Sequence, residues 1–337
     1  MFSTFLQEIR GYLGKGFLLA VFIPTLLFWS INVTIYLTVT MGLDQAWQQW
    51  SELSAEARVI LLLAGLVGLS FFAYLIHNLQ LPITRLFEGY WQGWPLLRWL
   101  QEPRRRYYLR EWQYLAERVE KLEQSAVRQA AGSSSVELFQ TELNEVRDRQ
   151  LTFFPPPRYW IQIRPTQLGN ILRASELYAV DHYGLDAVVV WTRLRPLLDG
   201  QTIGALQDKK MAMDFMLLMT LYAGLFAAIW CPILAIFTNE WQLFLLCATG
   251  LPVARICYQS ALQSALAYGE EIRVVFDLHR YKLLTALGLK IPVDRETEQY
   301  LWEDISLFFH RNIPPTDVFQ LAISPEASHK YLGAREK

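Results

Sequence analysis

Four long apolar stretches constrain this chain more than any other feature. No charged residue occurs from Gly16 to Leu43, from Val59 to Thr84, or from Phe215 to Asn239. A fourth stretch begins at Trp241 and meets its first charge at Arg255. A bilayer core about 30 Å thick takes about 20 helical residues, so each stretch is long enough to span it. Spans are predicted at about 16–41, 59–80, 213–237 and 241–262, paired into two hairpins. Arg255 falls about 21 Å along its helix from Trp241. Snorkelling carries its side chain to the far interface, with an ion path as the alternative.

The basic residues orient the spans. Between Arg85 and Lys210 lie 18 Lys or Arg, and 10 more follow from Arg255 onward, while Arg10 and Lys15 precede the first span. The first loop has only Arg58, among Asp44, Glu52 and Glu56, and the loop between spans three and four has no basic residue and carries Glu240. The positive-inside rule then places both termini and the middle region in the cytoplasm. The expected layout is a cytoplasmic segment 1–15, a membrane hairpin 16–84, a cytoplasmic domain 85–210, a second hairpin 211–268 and cytoplasmic C-terminal helices 269–337. The first apolar run is too long for a signal-peptide core and no small-x-small site follows it, so no cleaved signal is expected. A bacterial plasma membrane is the expected host, read from compact organisation without processing signals. The net charge of −1 conceals the one-sided gathering of basic residues, and 53% apolar residues leave roughly half of the chain for water or the interface.

Inside the spans, Ala64 and Gly68, Gly224 and Ala228, and Ser260 and Ser264 form small-xxx-small pairs, which let helices approach closely in lipid. Pro24, Pro232 and Pro252 each remove a backbone hydrogen bond and predict bends. Ser30, Thr34 and Thr38 share one helical face. They line a pore between subunits or, on the simpler view, bond back to their own helix. No acidic residue lies deep in a span, and neither broken helices around a midplane site nor a repeat between hairpins is evident, which argues against a secondary transporter. Cys231, Cys247 and Cys257 read as small buried apolar residues.

After the second span, Trp91, Trp94, Arg98, Trp99, Arg104, Arg105 and Arg106 interleave aromatic and basic groups. They suit the headgroup zone, as simple anchors or as contacts to anionic lipid, and proximity to the membrane explains them better than nucleic-acid binding. Trp47 and Trp50 are expected to anchor the outer loop in the same way.

A heptad seam follows, through Tyr108, Trp112, Leu115, Val119, Leu122 and Ala126. Ala131–Ser134 interrupts it, Ser135 is placed to cap the next helix, and Val136, Phe139, Leu143 and Val146 continue the period. Two such seams across a short loop predict an antiparallel helical hairpin at about 106–150 projecting into the cytoplasm, packed on the remaining domain or used as a docking or oligomerisation arm. Phe153–Pro157 ends it. Thr166 is a plausible N-cap for a helix toward Leu177. The run 186–198 is ambiguous between a strand and an interfacial helix, with helix preferred for want of a partner strand. Helical spacing continues through Phe276 to Leu287 and resumes from Glu296 to Arg311, before a loosely ordered tail after Pro314.

The catalytic inventory is sparse. None of the 5 His sits in a zincin, kinase, P-loop or nucleophile-elbow context. Asp181-His182-Tyr183 with Asp186, and Asp277-Leu278-His279, lack a third partner at diagnostic spacing and read as surface hydrogen-bonding groups. No catalytic residue, cofactor or metal is assigned. Pro165-Thr166-Gln167-Leu168-Gly169-Asn170, followed by Arg173 and Glu176, is a distinctive string without an attached function.

The expected fold is therefore an all-α integral membrane protein: four transmembrane helices in two hairpins, with a cytoplasmic helical domain. The expected function is a non-enzymatic scaffold or adaptor, with lipid and either a second copy or a protein partner bound. An oligomeric channel or pore is the alternative, and a membrane enzyme acting on lipid at the inner interface is third.

Overall fold

The computed structural model describes residues 15–93, 95–129, 135–237 and 241–311. The expectations for the first residues, Trp94, the 130–134 loop, Glu240 and the tail lie outside them. In chain order a short turn at Lys15–Phe17 and a π-helical turn at Leu18–Phe22 lead into α1 (Ile23–Thr40). Then come α2 (Leu43–Glu52), α3 (Ala55–Asn78), α4 (Gln80–Glu88), α5 (Pro95–Gln129) and α6 (Ser135–Phe153). After a 3-10 turn at Pro157–Gln162 follow α7 (Gln167–Tyr183), α8 (Ala187–Leu194), α9 (Gly200–Phe237), α10 (Trp241–Ala248), α11 (Gly250–Ala286) and α12 (Arg295–Arg311). There is no β-strand among the described residues, and the ambiguous run after Asp186 is the helix α8.

Four helical stretches are long and apolar enough to cross a membrane: Leu18–Thr40, Ala55–Asn78, Gly200–Ile236 and Trp241–Ala286. They mark the chain as a membrane protein. Two compact units result, one within Met1–Phe87 and Asp208–Ser264, the other within Glu88–Gln207 and Ala265–Lys337.

In the first unit, the π turn stands just ahead of Pro24, with the Ile23 N–H donating to the Leu18 carbonyl. A wider turn admits a proline ring that would otherwise crowd the carbonyl four residues back. Pro252 behaves differently from expectation. The fourth span is already interrupted at Thr249, and Pro252 falls in the first turn of α11, where a missing N–H costs nothing. Spans one and three run parallel, because contacts ascend together in both: Gly16 faces Met211, Thr25 meets Tyr222, and Asn32 meets Trp230. Span two runs opposite to span one, through Phe17 against His77 and Trp29 against Phe72.

In the second unit, α5 starts at Pro95, ahead of the 106 expected, and continues through Pro103. Arg98, Trp99 and Arg104–Arg106 are therefore helical. The α5–α6 pair has its own apolar layer. A second core joins α7, α8, α11 and α12 around Phe276, Leu284 and the fully buried Trp302. Caps set the helix starts: Thr166 Oγ1 accepts the Gly169 N–H at 3.1 Å, and Asp186 Oδ1 accepts those of Val188 and Val189 at 3.0 and 3.2 Å.

Candidate functional site

Polar contacts link the membrane helices within the chain, while none of Ala64, Gly68, Gly224 and Ala228 among the predicted small residues is buried there. Thr25, fully buried, donates to the Val21 carbonyl at 2.7 Å and shares a 3.0 Å bond with Tyr222. Asn32 Oδ1 accepts the Trp230 indole N–H at 2.8 Å. Ala64 and Gly68 are exposed, Gly224 is half-buried, Ala228 is exposed, and Gly224 and Gly68 have nothing within 4 Å of a built Cβ. The close helix approach is at Gly250, where a Cβ would meet the Ala223 carbonyl at 2.8 Å. The hydroxyl stripe bonds its own helix, Thr34 to the Ser30 carbonyl and Thr38 to the Thr34 carbonyl, each at 2.8 Å. Beside it, Pro24, Ile31, Tyr222, Phe226, Thr249 and Val253 line an apolar cavity of about 360 Å³. Sequence reading missed Thr25, Asn32, Tyr222 and Trp230. The amide of Asn32 in an otherwise apolar span was the available signal, since an unpaired one is costly in lipid.

The seam residues of α5 and α6 meet one another. Leu115, Leu122 and Val146 are buried together, with Trp112, Val119, Phe139 and Leu143 packed against them. The helices run antiparallel: Tyr108 lies 6.5 Å from Phe154 between ring centroids, and Arg118 pairs with Glu142. Glu123–Arg147 and Glu111–Arg149 add further ion pairs across the seam. Off the seam, Tyr107 and Tyr114 are 57% and 58% exposed. They are seven residues apart and so share a face of α5.

The string around Asn170 is architectural. Asn170 is fully buried; its Oδ1 accepts the Arg164 N–H at 2.6 Å and its Nδ2 donates to the Arg164 carbonyl at 3.2 Å. A Cβ on Gly169 would overlap the Glu88 carbonyl oxygen. Arg173 is held between Gln162 and Glu176.

The two Asp/His clusters, separate in sequence, do converge. Asp277 accepts Tyr183 Oη at 2.8 Å and Tyr178 Oη at 3.2 Å, and His182 stacks on Tyr178 at 4.1 Å. Arg280 lies 4.0 Å over the Tyr183 ring and donates to Glu298 at 2.7 Å, both ends largely buried. Burial, then the Asp277 carboxylate, pushes the Tyr183 phenol up, and the same two causes raise Tyr178. A cleft of about 390 Å³ beside them is lined by His182, Tyr183, Tyr281, Asp294, Arg295 and Glu298. Each carboxylate is already satisfied: Asp294 caps α12 through Thr297, and Glu298 holds Arg280. Such a network ties α7, α11 and α12 together but offers no activated nucleophile. Among the described residues no His/Cys/Asp/Glu group could hold a metal ion.

The basic collar is divided. Arg98 and Trp99 are exposed, and Trp91 is half-buried. Arg104 lies 6.0 Å over the Tyr108 ring, and Arg106 pairs with Glu102 at 3.2 Å. Arg105 instead donates to the carbonyls of Ile161 and Ile163 at 2.8 and 3.1 Å, pinning the 3-10 turn to α5. In comparisons with family models, curated proteins and solved structures, nothing matches this chain.

Proposed function

We propose that this chain is a non-enzymatic membrane scaffold or adaptor in a bacterial plasma membrane, with both termini cytoplasmic, that uses the outer face of α5 to hold a second copy or a protein partner. The carrying observation is the pair Tyr107 and Tyr114. Both rings stay exposed although the neighbouring seam is filled from within the chain. Tyrosine is favoured at protein interfaces because a large ring buries area at small entropic cost and keeps a polar tip. Leu115 and Leu143 serve the fold of the pair, so charges there would break it rather than test docking. The test is Tyr107→Glu with Tyr114→Glu, extracted gently into nanodiscs, with native mass and copurifying chains read out. Loss of the assembly with helicity unchanged supports the adaptor; an unchanged assembly sinks it.

An oligomeric pore is the second reading. It draws on α3, where Ala64 and Gly68 lie exposed on a face that another copy of the chain would cover. Ion flux from proteoliposomes of a trimer or larger ring would favour it over the adaptor.

A further inference from the structure

The Pro157–Gln162 turn exposes two large apolar side chains side by side, Trp160 at 44% and Ile161 at 65%. Arg158 beside them is exposed and has no hydrogen bond or ion pair among the described residues. An exposed Trp–Ile tip is costly in water, and this turn has the backbone order of a built element. Tyr159 N–H donates to the Pro156 carbonyl at 2.8 Å, and Arg105 grips the carbonyls of Ile161 and Ile163. Arg105 thereby joins the tip to the basic start of α5. Arg98, seven residues earlier and so on the same side of that helix, is exposed and likewise without a hydrogen bond or ion pair among the described residues.

We propose that this turn is a membrane-insertion tip, with Trp160 and Ile161 entering the interface and Arg98 and Arg158 meeting anionic lipid headgroups. Two observations favour a lipid surface over a protein. The charged residues on either side of the tip in the chain, Arg158 and Arg164, are basic, although the carboxylates of Asp181 and Glu303 act on Tyr159, and Glu102, the acidic residue nearest in that stretch of α5, is engaged by Arg106. The tip's anchor, Arg105, also lies on α5, the helix that follows the second span and α4 in chain order. Trp at the headgroup level combined with juxtamembrane Arg is the usual physical signature of such a surface. It stands whether or not the outer face of α5 captures a partner.

The experiment uses the full chain in nanodiscs, with a spin label at Ile161→Cys and Cys231, Cys247 and Cys257 replaced by serine. Power saturation compares collision with oxygen and with a nickel chelate, against a label at the exposed Glu145→Cys as the aqueous reference. In discs containing phosphatidylglycerol the oxygen-to-nickel ratio at position 161 should exceed the reference severalfold. It should fall toward the reference in phosphatidylcholine alone or with Arg98→Glu and Arg158→Glu. An aqueous ratio in both lipids overturns the proposal, as does protection from both reagents, which marks a protein contact. If the cysteine-free chain does not fold, quenching by brominated lipid is compared for the natural chain and Trp160→Phe. Loss of a quenched component supports the tip, and identical quenching overturns it.

Discussion

Gly169 and Asn170 show how a string can be conspicuous while its purpose stays hidden. Thr166 as an N-cap was readable, because capping is decided within a few residues. Gly169 was not, because the Glu88 carbonyl it admits lies far away in sequence. We expect Gly169→Ala to cost about 1–3 kcal/mol, the usual range for overpacking, seen as a lowered midpoint in denaturant; no loss would mean that the Glu88 carbonyl lies farther from Gly169 than described. Tyr183 makes a pH prediction. Its folded-state phenol is raised above the unfolded value. The stabilisation is therefore complete below a pH of about 10 and lost as pH rises toward the folded value. Tyr183→Phe should flatten this alkaline loss, monitored by near-ultraviolet circular dichroism across the alkaline range; an unchanged slope contradicts the burial of this phenol against Asp277.

Among elements, the α5–α6 seam was readable because a heptad repeats locally, whereas the early start of α5 was masked by Pro95 and Pro103, residues that usually mark breaks. The energetics of the pair rest on the seam. Leu115 is 4% exposed. Leu115→Ala should therefore destabilise by about 2–5 kcal/mol. The ion pairs across the surface are solvent-screened, and a double-mutant cycle on Arg118 and Glu142 should show little coupling in moderate salt. Strong coupling there, or a silent Leu115→Ala, would reverse that ranking. Between the spans the order of importance also departs from local pattern. The small-xxx-small pairs were visible in sequence, whereas the polar pairs Thr25–Tyr222 and Asn32–Trp230 were not, because only the parallel course of spans one and three brings them together.

For the whole molecule, the four apolar helices were evident from charge-free length alone, and orientation rests on the distribution of Lys and Arg. Cysteines at Gln48 on α2 and at Glu145 on α6 should therefore react with a membrane-impermeant maleimide from opposite sides of sealed vesicles, in a background free of the native cysteines. Labelling of both from one side would contradict the topology. Function was the least readable level, since the heptad places Tyr107 and Tyr114 off the seam but carries no motif for what an exposed ring would bind. The most direct measurement is photocrosslinking in intact membranes from p-benzoylphenylalanine placed at Tyr114, with Glu145 on α6 as the control position. Scaffold function predicts a discrete adduct, with a second copy or one partner chain, from position 114 and none from position 145. No adduct from position 114, or the same smear from both, would contradict it.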